Sequence, residues 1–167
     1  ADPAEETPES PSITGYQSIT DDTGVLTVDV PNEWVDVQTA PFTLEDGGQA
    51  PLIMASPSID EFNASYLTPG MFFTALGPVS SLDETLAAFA PGPGECTDLG
   101  IQDYSDAAYT GRYQTFGECG GTGTLYVTVA AVPPDNSYTA IVVMQLVSDA
   151  DLAVLDQVFA TFLVTPA

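Results

Sequence analysis

Basic side chains are almost missing from this chain. It has no Lys and no His, and its one Arg, Arg112, faces 24 Asp and Glu residues, for a formal net charge of −23. A nucleic-acid partner is excluded, because no basic stripe can be built to displace counterions from phosphate. Binding to an anionic membrane surface is excluded for the same reason. With imidazole and amine bases absent, Ser-His-Asp, Cys-His and Ser-Lys catalysis are excluded too. No apolar run reaches the roughly eighteen residues of a membrane-spanning helix.

Cysteine is nearly as scarce. Cys96 and Cys119 are the only two, and they have neither CxxC spacing nor His partners, which argues against zinc. They read as a disulfide, which would imply an oxidising, exported compartment. The alternative is two separate buried thiols.

What the chain does have is a core. Of its 167 residues 44% are apolar, with 8 Phe, 7 Tyr and one Trp, unlike a disordered acidic chain. The length suits one domain, and the uniform charge favours a soluble monomer through self-repulsion. Residues 1–12 carry Pro3, Pro8, Pro11, Glu5, Glu6 and Glu9 and read as a disordered, acidic, Pro-rich linker. The ordered domain is expected over 13–167.

Tyr16 to Thr20 and Val25 to Val30 predict a hairpin across the Asp21-Asp22-Thr23-Gly24 turn. Leu26, Val28 and Val30 alternate on one face of the second strand. Trp34 is expected to anchor the core beside Val35 and Val37. Pro51 to Ser56 and Gly70 to Leu76 read as strands. Capping boxes at Ser58-x-x-Glu61 and Ser81-x-x-Glu84 open two short helices. After the Pro91-Gly92-Pro93-Gly94 break, strands are expected at about 107–116, 124–132 and 137–147. Ser148 is expected to cap a last helix whose apolar stripe is Leu152, Leu155, Phe159 and Phe162. Hairpin-connected strands with helices between them predict an α+β fold. Its sheet is expected to be largely antiparallel, of about six or seven strands, with helices packed on it.

Several residues invite a functional reading. Asp22-Thr23-Gly24 matches the aspartic-protease triplet, but one copy cannot form a proton-sharing dyad, and a hairpin turn explains it better. Glu33, Glu45, Asp46, Glu95 and Glu118 are acids that a small secreted hydrolase could pair, although their spacing singles out no pair. Asp103 and Asp106, or Glu45 and Asp46 beside Gly47-Gly48, could supply part of a weak calcium shell, as in a calcium-dependent adhesive module. No cofactor beyond such calcium is implied. Arg112 could anchor a ligand carboxylate, or serve a structural ion pair or stack on tyrosine. Tyr104, Tyr109 and Tyr113 surround it and would mark a partner contact if exposed together. Asn63-Ala64-Ser65 forms a glycosylation sequon inside an expected helix, a poor acceptor setting.

The stretch from Gly24 to Trp34, with an amphipathic strand running into a V-P-x-x-W corner, resembles the opening of PsbP-like domains. The later order of a Phe-rich strand, a capped helix, a strand meander and a closing helix with Leu155 and Phe159 is similar as well. Comparable domains occur in exported actinobacterial lipoproteins and as C-terminal appendages of secreted trypsin-like serine proteases. The Tyr109–Tyr113 stretch and the Cys96…Cys119 pair look most like the protease-appended kind. The resemblance covers roughly residues 14 to 165. It implies a non-enzymatic binding or accessory domain without catalytic residues. Such a domain would be secreted and tethered through its linker to the cell envelope or to a protease, and would meet a protein or cell-envelope partner.

Overall fold

The computed structural model describes residues 13–165; the linker expected over residues 1–12 lies outside the described residues. β1 (Tyr16–Thr20) and β2 (Leu26–Pro31) form the expected antiparallel hairpin, with Ile19 opposite Val28. Leu26, Val28 and Val30 are fully buried, as their alternation requires. The turn is organised by Asp21, whose Oδ1 accepts the N–H groups of Val25 and Leu26, both at 2.8 Å. Gly24 takes φ 76°, a left-handed conformation that glycine adopts without steric cost.

The chain continues through β3 (Asp36–Gln38), a two-stranded ribbon of β4 (Phe42–Thr43) and β5 (Gln49–Ala50), and β6 (Leu52–Ser56). Then come α1 (Ile59–Ala64), β7 (Gly70–Leu76) and α2 (Leu82–Ala88). Both helices open on the expected caps. Ser58 accepts from the Glu61 N–H and Ser81 from the Glu84 N–H. β8 (Thr97–Ser105), β9 (Thr110–Cys119), β10 (Thr124–Val132) and β11 (Thr139–Leu146) make the meander. α3 (Ala150–Thr161) and β12 (Leu163–Val164) close the described chain.

The main sheet has seven strands in the order β3-β6-β7-β11-β10-β9-β8, and every pairing in it is antiparallel. A second sheet, β1-β2-β12, packs over one of its faces together with α3. The core lies between them. Ile53, Phe73, Val129, Val142 and Met144 come from the main sheet, Leu26 and Val28 from β2, and Val154, Val158 and Phe162 from α3 and its end. Phe162 meets Phe73 edge to face at 5.7 Å. α1 and α2 sit on the opposite face, so helices cover both sides and not one alone.

Four expectations need correction. Trp34 is fully buried, but its neighbour Val35 is 75% exposed, because a turn there points it outward. The three strands expected after the Pro-Gly break become four, because β8 precedes them: most of its residues face solvent, which removes the alternation that would mark it. The stripe expected for α3 holds at Phe162, which is buried, and at Leu155 and Phe159, which pack against the core, but Leu152 is 43% exposed, and Asp151, Val154 and Val158 supply the helix's fully buried positions. Ser148 does not cap that helix. Instead the Asp151 carboxylate accepts the N–H groups of Val147 (2.8 Å) and Ser148 (3.2 Å), turning an acid that reads as a surface residue into the fully buried fastener of the helix entry.

Candidate binding cleft

α1 and α2 cover the outer face of the main sheet incompletely, and a cleft of about 530 Å³ opens between them. Its floor follows from strand register. Met54 of β6 stands opposite Phe72 of β7, Phe72 opposite Val143 of β11, and Gln145 of β11 opposite Tyr126 of β10. Side chains alternate across a strand, so these five share the face away from the core. One wall is Phe62 and the segment after α1; the other is Phe89, Pro91 and Glu95 beyond α2.

Small residues and buried polar groups seat these walls. A Cβ on Gly70 would lie 2.6 Å from the Phe62 ring, so glycine is what lets that ring rest on the sheet. Gln145 is 2% exposed and donates its amide to the Ser65 carbonyl at 2.9 Å and the Thr68 carbonyl at 2.6 Å. The Thr124 hydroxyl donates to the Tyr66 carbonyl at 2.6 Å. On the far wall, the Tyr126 hydroxyl donates to the Phe89 carbonyl at 2.9 Å, and burial pushes that phenol up to about 12.

The two walls meet at the mouth. The Tyr66 hydroxyl donates to Glu95 Oε2 at 2.6 Å, and the Gly92 N–H donates to the same oxygen at 3.0 Å. Burial, with the hydrogen bond to Glu95 and its negative charge, holds the Tyr66 phenol well above its ordinary value, so it remains a proton donor. Glu95 is pinned through its backbone as well. Its carbonyl accepts from the Gly120 N–H at 2.8 Å, and the next residue is fastened by the Cys96–Cys119 disulfide. Gly120 has φ 64°, and a Cβ there would come within 2.9 Å of the Tyr66 ring. One glycine thus positions both partners of the Tyr66–Glu95 bond.

Of the residues singled out in the sequence, Glu95 and the Asn63-Ala64-Ser65 stretch line this cleft and the disulfide adjoins it, while the others fall elsewhere. Arg112 Nη1 reaches both carboxylate oxygens of Asp83 at 2.8 Å, and its Nε lies 3.6 Å from Asp103. Partly exposed pairs of this kind contribute little stability, but they occupy the guanidinium. Tyr104 and Tyr109 are only 8% and 2% exposed, so neither ring offers contact surface. Tyr104 donates to Asp106 and meets Phe159 edge to face at 5.4 Å. Tyr109 stacks on Phe162 at 5.1 Å, and its oxygen accepts from the Val164 N–H at 2.9 Å. Tyr113 is half-buried and donates to Gln102.

The calcium candidates do not converge. Asp103 pairs with Arg112, while Asp106 accepts from Ala108 N–H at 2.7 Å and Tyr109 N–H at 2.8 Å. Asp46 accepts from Gly48 N–H at 2.8 Å in the β4–β5 turn, next to Glu45. Among the described residues no three acids gather where they could hold a metal. Asp22 of the Asp-Thr-Gly triplet lies in the hairpin turn and accepts from the Thr39 hydroxyl at 2.7 Å.

In the sequence nothing gives Tyr66 a role, and Glu95 stands out there only as one of five acids. No spacing announces their pairing, since it depends on a loop, a disulfide and a strand end coming together.

No family model and no curated protein matches the chain. Among solved structures it is similar to the solution structure of cyanobacterial PsbP (CyanoP) from Synechocystis sp. PCC 6803. That likeness has 11% identity and a TM-score of 0.52 over 94% of this chain and 98% of that one. The Ran-binding protein Mog1p of Saccharomyces cerevisiae is also similar, with 10% identity and a TM-score of 0.48 over 90% of this chain and 95% of that one. At these identities the likeness is one of fold: an α+β domain on a seven-stranded antiparallel sheet, resembling PsbP.

Proposed function

We propose that the chain is an exported, non-catalytic binding or accessory domain, tethered through residues 1–12 to the cell envelope or to a secreted protease. Its partner is a protein or an envelope component, met at the cleft between α1 and α2. The observation that carries this reading is the cleft's chemistry. Its lining is mainly apolar and aromatic, and the residues forming it include one carboxylate, Glu95, already hydrogen-bonded by Tyr66. Hydrolysis by carboxylates needs two acids facing one bond, roughly 5–10 Å apart. A concave apolar surface with a few placed polar groups suits binding instead. The disulfide supports an oxidising compartment, and the proposal needs no cofactor.

Turnover assays with panels of peptide and glycoside substrates test it. No hydrolysis above that of the Glu95→Gln variant is expected. Turnover that disappears when a single acid is neutralised would overturn the reading. A rise in melting temperature with calcium, absent at equal ionic strength of sodium chloride, would replace it with the calcium-dependent adhesive module.

A further inference from the structure

Glu95 is a negative charge with aromatic company and no cation to answer it. Tyr66 and Gly92 both bind its Oε2, and its Oε1 has no hydrogen-bond partner among the described residues. The one Arg of the chain is engaged by Asp83 and Asp103. Tyr66, Phe89 and Phe72 line the same cleft, with Phe72 and Phe89 in ring contact at 6.0 Å. Ring faces beside a carboxylate favour an ammonium or guanidinium group.

Glu95 also borders a second recess of about 600 Å³, next to the disulfide, where Glu118 is the other acid. Both hollows border Glu95, so its carboxylate has apolar ground on one side and a second acid on the other. A basic residue with apolar neighbours in an extended chain matches that pairing. The net charge of −23 steers a basic partner towards the protein from a distance.

Resting on the binding reading above, we propose that the cleft docks a segment of a partner protein in which an Arg or Lys is flanked by apolar residues. The cation sits against Glu95 and the aromatic rings, and the apolar neighbours lie over Phe72 and Val143.

The test is selection of displayed random heptapeptides on the protein in 0.15 M NaCl. This is followed by titration of the enriched peptide while amide NMR shifts are read. Enrichment of Arg or Lys beside apolar residues is expected, with shifts at Tyr66, Phe89 and Glu95. Glu95→Gln should weaken the peptide about two- to fivefold, the scale of one partly exposed ion pair. Asp135→Asn removes the same charge from the turn at the other end of β10 and β11 and should leave affinity unchanged. Equal weakening by both variants would reduce the effect to bulk charge and overturn the proposal. So would no enrichment, shifts outside the cleft, or tetramethylammonium chloride binding there as tightly as the peptide. Enriched peptides without a basic residue that still shift the cleft residues would sink the cation while leaving the binding reading standing. That reading itself falls to turnover or calcium dependence, and its placement at the cleft falls to shifts elsewhere.

Discussion

Single side chains in this protein are used to close off backbone groups, and Asp21 shows what that is worth. It is 4% exposed, and its carboxylate accepts from the Thr23, Val25 and Leu26 N–H groups and from the Thr23 hydroxyl. Burial alone would raise its pKa, but the hydrogen bonds from Leu26, Thr23 and Val25 together outweigh it and hold the group below the usual carboxylate value. A depressed folded-state pKa contributes stability that is present above the unfolded value, near 4, and is lost as pH falls through the folded one. Asp21→Asn should therefore cost about 1.5–3 kcal/mol at pH 7, the range for hydrogen bonds to a charged group. The gap from the parent protein should narrow below about pH 4. Urea unfolding of both proteins at pH 7 and pH 3 checks this, and a gap that stays constant with pH would contradict it. The same logic removes Tyr109 from any partner surface: its hydroxyl is needed by the Val164 N–H, and a buried donor left without an acceptor costs about 1–3 kcal/mol.

Elements that carry their own signal were legible in the sequence, and those defined by distant partners were not. β7 and β10 fall over the expected residues, because apolar runs bounded by turn signals mark buried strands. α1 and α2 begin at their capping boxes. β8 escaped because its ladder exists only through β9: it presents Asp98, Gly100 and Asp103 to solvent and has a register shift between Asp98 and Ile101. The cleft escaped for the same reason, since its floor draws on four strands whose order no local pattern states. The β9–β10 pair shows how tightly such long-range contacts are held. A Cβ on Gly111 would lie 2.1 Å from the Ala130 carbonyl oxygen and 2.6 Å from the Ala131 Cα, both backbone atoms that cannot step aside. Gly111→Ala should force the two strands apart and cost more than the roughly 1–3 kcal/mol of ordinary overpacking. Gly123 has open space around it and no unusual φ, so Gly123→Ala should be nearly silent. Thermal melts of the two variants, with soluble yield, decide the matter. Equal stability would mean that β9 and β10 do not pair in this register.

At the scale of the whole molecule, the excess of acid works against the fold it surrounds. A net charge of −23 repels itself more strongly in the compact state than in the extended chain. The disulfide acts in the other direction: linking residues 23 apart restricts the unfolded ensemble, for about 3 kcal/mol in the chain-entropy model. Salt separates these terms, because screening relieves the repulsion and leaves the cross-link untouched. Going from 0.01 M to 1 M NaCl shortens the screening length from about 30 Å to about 3 Å. Relief of one or two kcal/mol should raise the melting temperature by about 3–6 °C for a domain of this size. Potassium chloride should do the same, since screening depends on ionic strength and not on the cation. Salt should weaken the docking of a basic segment at Glu95 over the same range, so stability and binding are expected to move in opposite directions. Calorimetry of the free protein and a peptide titration at the two salt concentrations test the pair together. A melting temperature that stays flat would show that the acids are spread widely enough to ignore one another. The long-range attraction invoked for a basic partner would then lose its source.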